Sequence, residues 1–197
     1  MMKRSNSLRR FFLVGLILIF GGCVLKQNPI EISHYSIDFK IKKFNTKTKL
    51  DAILIEEPIV NKSFNHTSIF YNTKPYLFEE YAKNRWINLP SNMIHNQLID
   101  SFSFSKIFTN VTRDSKVEYK YRLKSELIKL YHTFENEKSY AVINIKFDLI
   151  DEKKVLKSYV FERKILANEN SAYGFVKATN KGLKTILEEV LTSISNL

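Results

Sequence analysis

Three strand-like segments follow one another between Tyr119 and Leu166, the middle one with the cleanest two-residue periodicity, and they constrain this chain more than any other feature. In Tyr140 to Ile150, Ala141, Ile143, Ile145, Phe147 and Leu149 fall on one side, and Asn144, Lys146 and Asp148 on the other. Successive side chains of a strand point to opposite faces, so this spacing predicts a half-buried strand with its apolar row inward. Before it, Tyr119, Tyr121 and Leu123 alternate with Lys120, Arg122 and Lys124 in a segment reaching Phe134. After it, Asp151-Glu152-Lys153-Lys154 reads as a turn into a third strand, Val155 to Leu166. Strands this close in sequence leave no room for a crossover and must form an antiparallel meander.

Upstream, the signal is shorter and more varied. Ser33 to Ile41 alternates Tyr35, Ile37, Phe39 and Ile41 against Ser36, Asp38 and Lys40, which predicts another strand. Leu50 to Val60, with Pro58 near its end, fits a buried strand, and Thr67 to Tyr71 a short one. Two segments have helical period. From Pro90, a favoured first-turn residue, Ile94, Leu98 and Phe102 recur every four residues. From Ser171 to Leu197, Val176, Leu183, Ile186, Leu187, Val190 and Ile194 form one stripe, interrupted by Gly182. A glycine there costs about 1 kcal/mol relative to alanine, a cost offset if it lets the helix lie close on the sheet. The order predicts an α+β fold, with an antiparallel or mixed sheet carrying both amphipathic helices on one face.

The N-terminus reads as an address. Lys3, Arg4, Arg9 and Arg10 precede an uninterrupted apolar run from Phe11 to Phe20, and Gly21-Gly22-Cys23 closes it. A basic start, a short apolar stretch and small residues before a cut form a secretory signal. A cysteine directly after the small pair makes it a lipoprotein signal, with Cys23 as the lipid acceptor. Phe20 stands where leucine is usual. The charge-free run is shorter than the ~20 residues of a spanning helix. Residues 1–22 are therefore expected to be removed, and 23–33 to form the lipidated cysteine and a tether reaching at most ~35 Å. Residues 34–197 form one periplasm-facing domain. Processing would leave 27 Lys and Arg against 20 acidic residues, scattered without a basic block, so nucleic acid is not an expected partner.

The motif inventory excludes more than it offers. No glycine-rich loop exists to cradle a phosphate, and no G-x-S-x-G elbow is present. His34, His66, His95 and His132 never fall three or four residues apart, so no metal site is expected. The one cysteine is taken by lipidation. Glu56-Glu57 and Glu79-Glu80 are adjacent in sequence, and strand neighbours point apart. No catalytic residue, cofactor or metal is expected.

What remains is aromatic. Tyr71, Tyr76, Phe78, Tyr81 and Trp86 crowd into one stretch, with Arg85 before the single tryptophan. Two readings stay open: a hairpin whose aromatics complete the core, or a surface patch of the residue types that anchor interfaces.

Cys23, Tyr35, Ile53-Leu54-Ile55 ending near Pro58, Ile69-Phe70-Tyr71, and Tyr81 with Arg85-Trp86 four residues before Pro90 recur in order. With the helix, meander and C-terminal helix that follow, this series resembles the ABC-type transport auxiliary lipoprotein family. The resemblance implies a non-enzymatic envelope component acting beside an ABC transporter and a periplasmic protein with mammalian-cell-entry (MCE) domains. Such systems move lipids or other apolar molecules between the inner and outer membranes. It makes Tyr81, Arg85 and Trp86 the candidate partner-binding residues and leaves homo-oligomerisation open. Val24 after the cysteine, in place of aspartate, favours the outer membrane. The rival expectation is an outer-membrane assembly lipoprotein that partners a lipopolysaccharide-exporting barrel.

Overall fold

The meander is the spine of the structure. The computed structural model describes residues 31–44 and 49–197, so Cys23 and the signal segment lie outside the described residues. Strands β7 (Tyr121–Glu135), β8 (Lys138–Asp151) and β9 (Lys154–Leu166) pair antiparallel along nearly their whole length. Ala141, Ile143, Ile145, Phe147 and Leu149 are all fully buried. Their neighbours Asn144, Lys146 and Asp148 occupy the other face, as the alternation predicts.

The second edge of β7 is shared in succession by three shorter elements, all parallel to it. They are β2 (Ile53–Ile55), β3 (Ile59–Val60) and β4 (Ser68–Lys74). The expected single strand from Leu50 to Val60 is thus two, broken just before Ile59 by Pro58, which has no N–H to give a ladder. Strand β4 turns back antiparallel into β5 (Leu77–Trp86), and β1 (Ser33–Tyr35) lies parallel against the end of β5. On the other branch, β6 (Val111–Thr112) pairs parallel with β2. The result is a nine-stranded mixed sheet that forks at β7.

Helix α1 (Pro90–Ser105) buries Ile94, Leu98 and Phe102. It begins without a capping side chain of its own. Asn65, from the loop before β4, supplies the acceptor for the Ser91 N–H at 3.2 Å. Helix α2 (Ala172–Ile194) is capped by Ser171, whose hydroxyl accepts from the Gly174 N–H at 3.0 Å. It packs on β8 and β9 with its whole predicted stripe buried. A Cβ on Gly182 would lie 2.7 Å from Ile165 Cδ1 and 2.9 Å from Ile143 Cδ1, so this glycine does allow the close approach.

The strand expected from Ser33 to Ile41 is corrected in a particular way. Its ladder ends at Tyr35, yet the alternation persists in burial: Ile37 and Ile41 are buried, Asp38 and Lys40 exposed. From Ser36 onward the segment lies across the helices, and side chains hold its backbone. Asn180 accepts from the Asp38 N–H at 2.7 Å and donates to the Ser36 carbonyl at 3.1 Å. Gln97 brackets Phe39 in the same manner, and Glu188 accepts from the Lys42 N–H at 2.7 Å. Residues Ile32–Leu197 form one compact unit.

Candidate functional site

The residues singled out by sequence meet where β1, β4, β5, β7 and α2 converge. Strand β5 reaches this point through an irregularity. It advances five residues, from Glu80 to Arg85, while β4 opposite advances two, from Phe70 to Ser68. The extra residues bulge outward and strand their carbonyls. Arg85 resolves this: its guanidinium folds back and donates to the Tyr81 carbonyl and, at 2.9 Å, to the Asn84 carbonyl. It also faces Glu80 at 3.9 Å, whose carboxylate accepts from the Ser68 hydroxyl at 2.6 Å.

Past the bulge the strand re-enters the ladder, and Trp86 turns inward. Its N–H donates to the Thr67 carbonyl at 2.7 Å, and its ring lies 5.8 Å from that of Phe175 on α2. Trp86 is only 3% exposed. Of the two readings open for it, the structure shows core packing, and an exposed docking role for its indole does not fit. Tyr81 is half-buried, and Arg85 is partly exposed but occupied by the bulge. Tyr35, also in the family-like series, donates to Asn84 Oδ1 at 3.1 Å and so braces the same bulge. Cys23 lies outside the described residues.

The residue that organises the cluster is His132, which in the sequence stands out only as one of four histidines without metal spacing, near the end of the segment reaching Phe134. It is fully buried, three residues before the end of β7. Its Nδ1 is 2.8 Å from the Tyr81 hydroxyl, and its Nε2 has no hydrogen-bond partner among the described residues. The imidazole stacks between Tyr81, 6.1 Å away, and Phe175, 5.2 Å away, with Phe134 at 4.4 Å. Tyr71 closes on Tyr81 at 4.7 Å. The signal for His132 was a shift of phase. Leu123, Ser125 and Leu127 mark the inward row, then Leu130, His132 and Phe134 resume it one residue late, across a bulge after Leu127.

Electrostatics makes this a neutral site. Burial pushes His132 down to about 4, and burial together with the nearby Tyr71 phenol pushes Tyr81 up to about 12. Near pH 7 neither group exchanges a proton readily, and aromatic rings rather than an open cavity surround the pair. Among the described residues, no group of three or more His, Cys, Asp or Glu side chains could hold a metal ion. The arrangement is suited to locking β5, β7 and α2 together, with the β4–β5 hairpin projecting beyond it.

Comparison with known proteins locates this architecture. No protein-family model and no curated protein sequence matches the chain. Among solved structures it is similar to protein XCC0632 from Xanthomonas campestris, of family-model DUF330. That likeness has a TM-score of 0.72 at 15% identity, over 83% of this chain and 96% of that one. It is equally similar to an uncharacterized protein, with a TM-score of 0.70 at 13% identity, over 83% of this chain and 99% of the other. At such identities the likeness is one of fold: the forked sheet with two helices on one face is an architecture this chain shares with the DUF330 protein.

Proposed function

We propose that this chain is a lipid-anchored, periplasm-facing accessory component of an ABC/MCE-type transport system moving lipids or other apolar molecules between the two membranes. The observation that carries the reading is the fold shared with a DUF330 protein across 83% of a chain that opens with a basic, apolar, Gly-Gly-Cys series. The family-like residues support it: Tyr35, Tyr81, Arg85 and Trp86 together build and brace one structural feature, the bulge of β5 and its anchorage on α2. In this reading the protein is a docking piece and performs no bond chemistry. Its most polar buried pair, Tyr81 and His132, is neutral and enclosed by rings. The outer membrane is the favoured site of anchoring.

The test is purification of the tagged full-length chain from its own envelope in mild detergent, beside a Cys23→Ala variant. Co-purification of an MCE-domain protein with the parent, and loss of membrane association in the variant, are expected. A parent that brings down no MCE-domain protein overturns the assignment.

A further inference from the structure

One residue is costly where it stands and repays nothing within the fold. The β4–β5 hairpin turns through Pro75 and Tyr76, between the paired residues Lys74 and Leu77. Proline first and a positive φ second is the pattern of a type II turn, whose second position calls for glycine or asparagine. Here that position holds tyrosine, at φ 68°, with its side chain 99% exposed. A bulky residue in the left-handed region is uncommon, and this ring gains no packing in return. Leu77 and Phe78 follow it and are also exposed, 38% and 46%. Among the described residues, this is the one run of three consecutive exposed large apolar side chains.

The sheet register places this tip relative to the chain's entry point. His34 pairs with Arg85, Arg85 with Ser68, and β4 runs parallel to β7 with Tyr71 opposite His132. Ile32 is therefore level with the region of Tyr131. At about 3.3 Å per residue, the end of β7 nearest the hairpin tip, at Glu135, is about 13 Å away, and the opposite end, at Tyr121, about 33 Å. Because β1 is parallel to β5, the chain enters the sheet from the side of the tip. Eight residues separate Cys23 from Ile32, which span at most about 30 Å. A lipid on Cys23 can thus bring the hairpin end to the bilayer with slack to spare, whereas the opposite end lies at the limit of a fully extended tether. Leu166, half exposed, lies toward the hairpin end too, level with Thr133 through Tyr140.

We propose that the Tyr76-Leu77-Phe78 tip inserts into the interfacial layer of the membrane that holds the anchor, setting the height and tilt of the domain. This rests on the lipid-anchor reading above. Tyrosine is a side chain of the membrane–water boundary, with an apolar body and a polar tip, and Leu77 adds apolar area below it, as does the exposed part of Phe78, whose ring otherwise packs edge-on against Tyr131 at 5.0 Å. The neighbouring Lys164 and Lys177 are paired with Glu135 and Glu169. Lys74 at the tip and Lys138 in the neighbouring turn are exposed and form no ion pair among the described residues, so a cationic attraction that salt weakens adds to the aromatic and apolar one.

The experiment uses the full lipidated chain, purified from membranes and reconstituted into phosphatidylcholine vesicles with dibrominated acyl chains. Tyr76→Trp places an indole at the tip, Ile59→Trp places one on an exposed site of β3, and buried Trp86 is the internal reference. Interfacial insertion reaches about 5–10 Å, within range of the bromines, so the added emission of Tyr76→Trp should fall by about half, and that of Ile59→Trp should not. A membrane-bound chain in which the two variants are quenched alike overturns the tip alone. An indole at position 76 that is shielded only when a second protein is added also overturns it, in favour of a protein-docking hairpin. A parent that leaves the membrane as readily as Cys23→Ala overturns the anchor, and the insertion with it.

Discussion

The Tyr81–His132 pair gives this protein a calculable weakness to acid. An ordinary histidine titrates at 6.5, and burial holds His132 near 4. The unfolded chain therefore binds the proton more readily than the folded one. The stability this histidine contributes is fully present above pH 6.5, declines as pH falls below it, and is gone below pH 4. Two and a half pH units at 1.36 kcal/mol each give about 3 kcal/mol in all, of which about 2 kcal/mol disappears between pH 7 and pH 5. Carboxylates elsewhere also contribute to any acid transition, so the comparison must be internal. Replacing both partners, Tyr81→Phe with His132→Phe, keeps two rings in the stack and removes the proton site, the hydroxyl and the unpartnered Nε2 together. Each single substitution strands one buried polar atom and should cost about 1–3 kcal/mol at pH 7, whereas the double variant should sit near the parent. Urea unfolding of the parent and the three variants at pH 7 and pH 5 reads both effects. A double variant that loses as much stability on acidification as the parent would refute the assignment of this term to His132.

Trp86→Ala should cost about 3–5 kcal/mol, because it empties a core site against Phe175, and a melting curve unchanged from the parent would return the indole to the surface. The two helical glycines should respond unequally. A Cβ on Gly174 would fall 2.1 Å from the Glu169 carbonyl oxygen, which is backbone, while one on Gly182 meets only the ends of two isoleucine side chains. Gly174→Ala should therefore lower stability by about 1–3 kcal/mol, and Gly182→Ala by distinctly less, since isoleucine ends can move and alanine favours the helix. Equal losses in chemical denaturation would count against that account.

The parts of the fold legible in the sequence are those in which one physical signal acts alone. The meander could be read because β8 is covered by helices on one face only, so burial follows the periodicity from Ala141 to Leu149, with Asn144 the one residue buried on the other face. The two helices could be read because their stripes face the same core. Arg85 and Trp86 could be noticed, but residue type does not reveal that a bulge would place one outside and the other inside. That depends on the mismatch between β4 and β5, a long-range property with no local mark. His132 was hidden by the phase shift after Leu127, which carries it from an apparent strand end into the inward row.

Ser36 to Lys42 shows how periodicity can be right while the inferred pairing is wrong. Alternation reports which side chains are buried, and Ile37 and Ile41 are buried as it predicts. It does not report what satisfies the backbone between them, and an extended segment must place its N–H and C=O groups somewhere. Here the partners are Asn180 and Glu188 on α2 and Gln97 on α1, three polar side chains standing in for a neighbouring strand. Because Gln97 is itself buried and bonded to Ser101, its amide is held in place before it meets Phe39. The segment is consequently tied to both helices at once, and its two isoleucines add apolar cover to the core beneath. A strand continued at this position would have run on past Trp86, beyond the end of β5 and away from the hairpin tip. Among the described residues, the outer edge of β5 is uncovered from Leu77 to Lys83 because β1 pairs with it only from Ser33, opposite Asn84, so the turn at Tyr76 projects while Phe78 behind it packs on Tyr131.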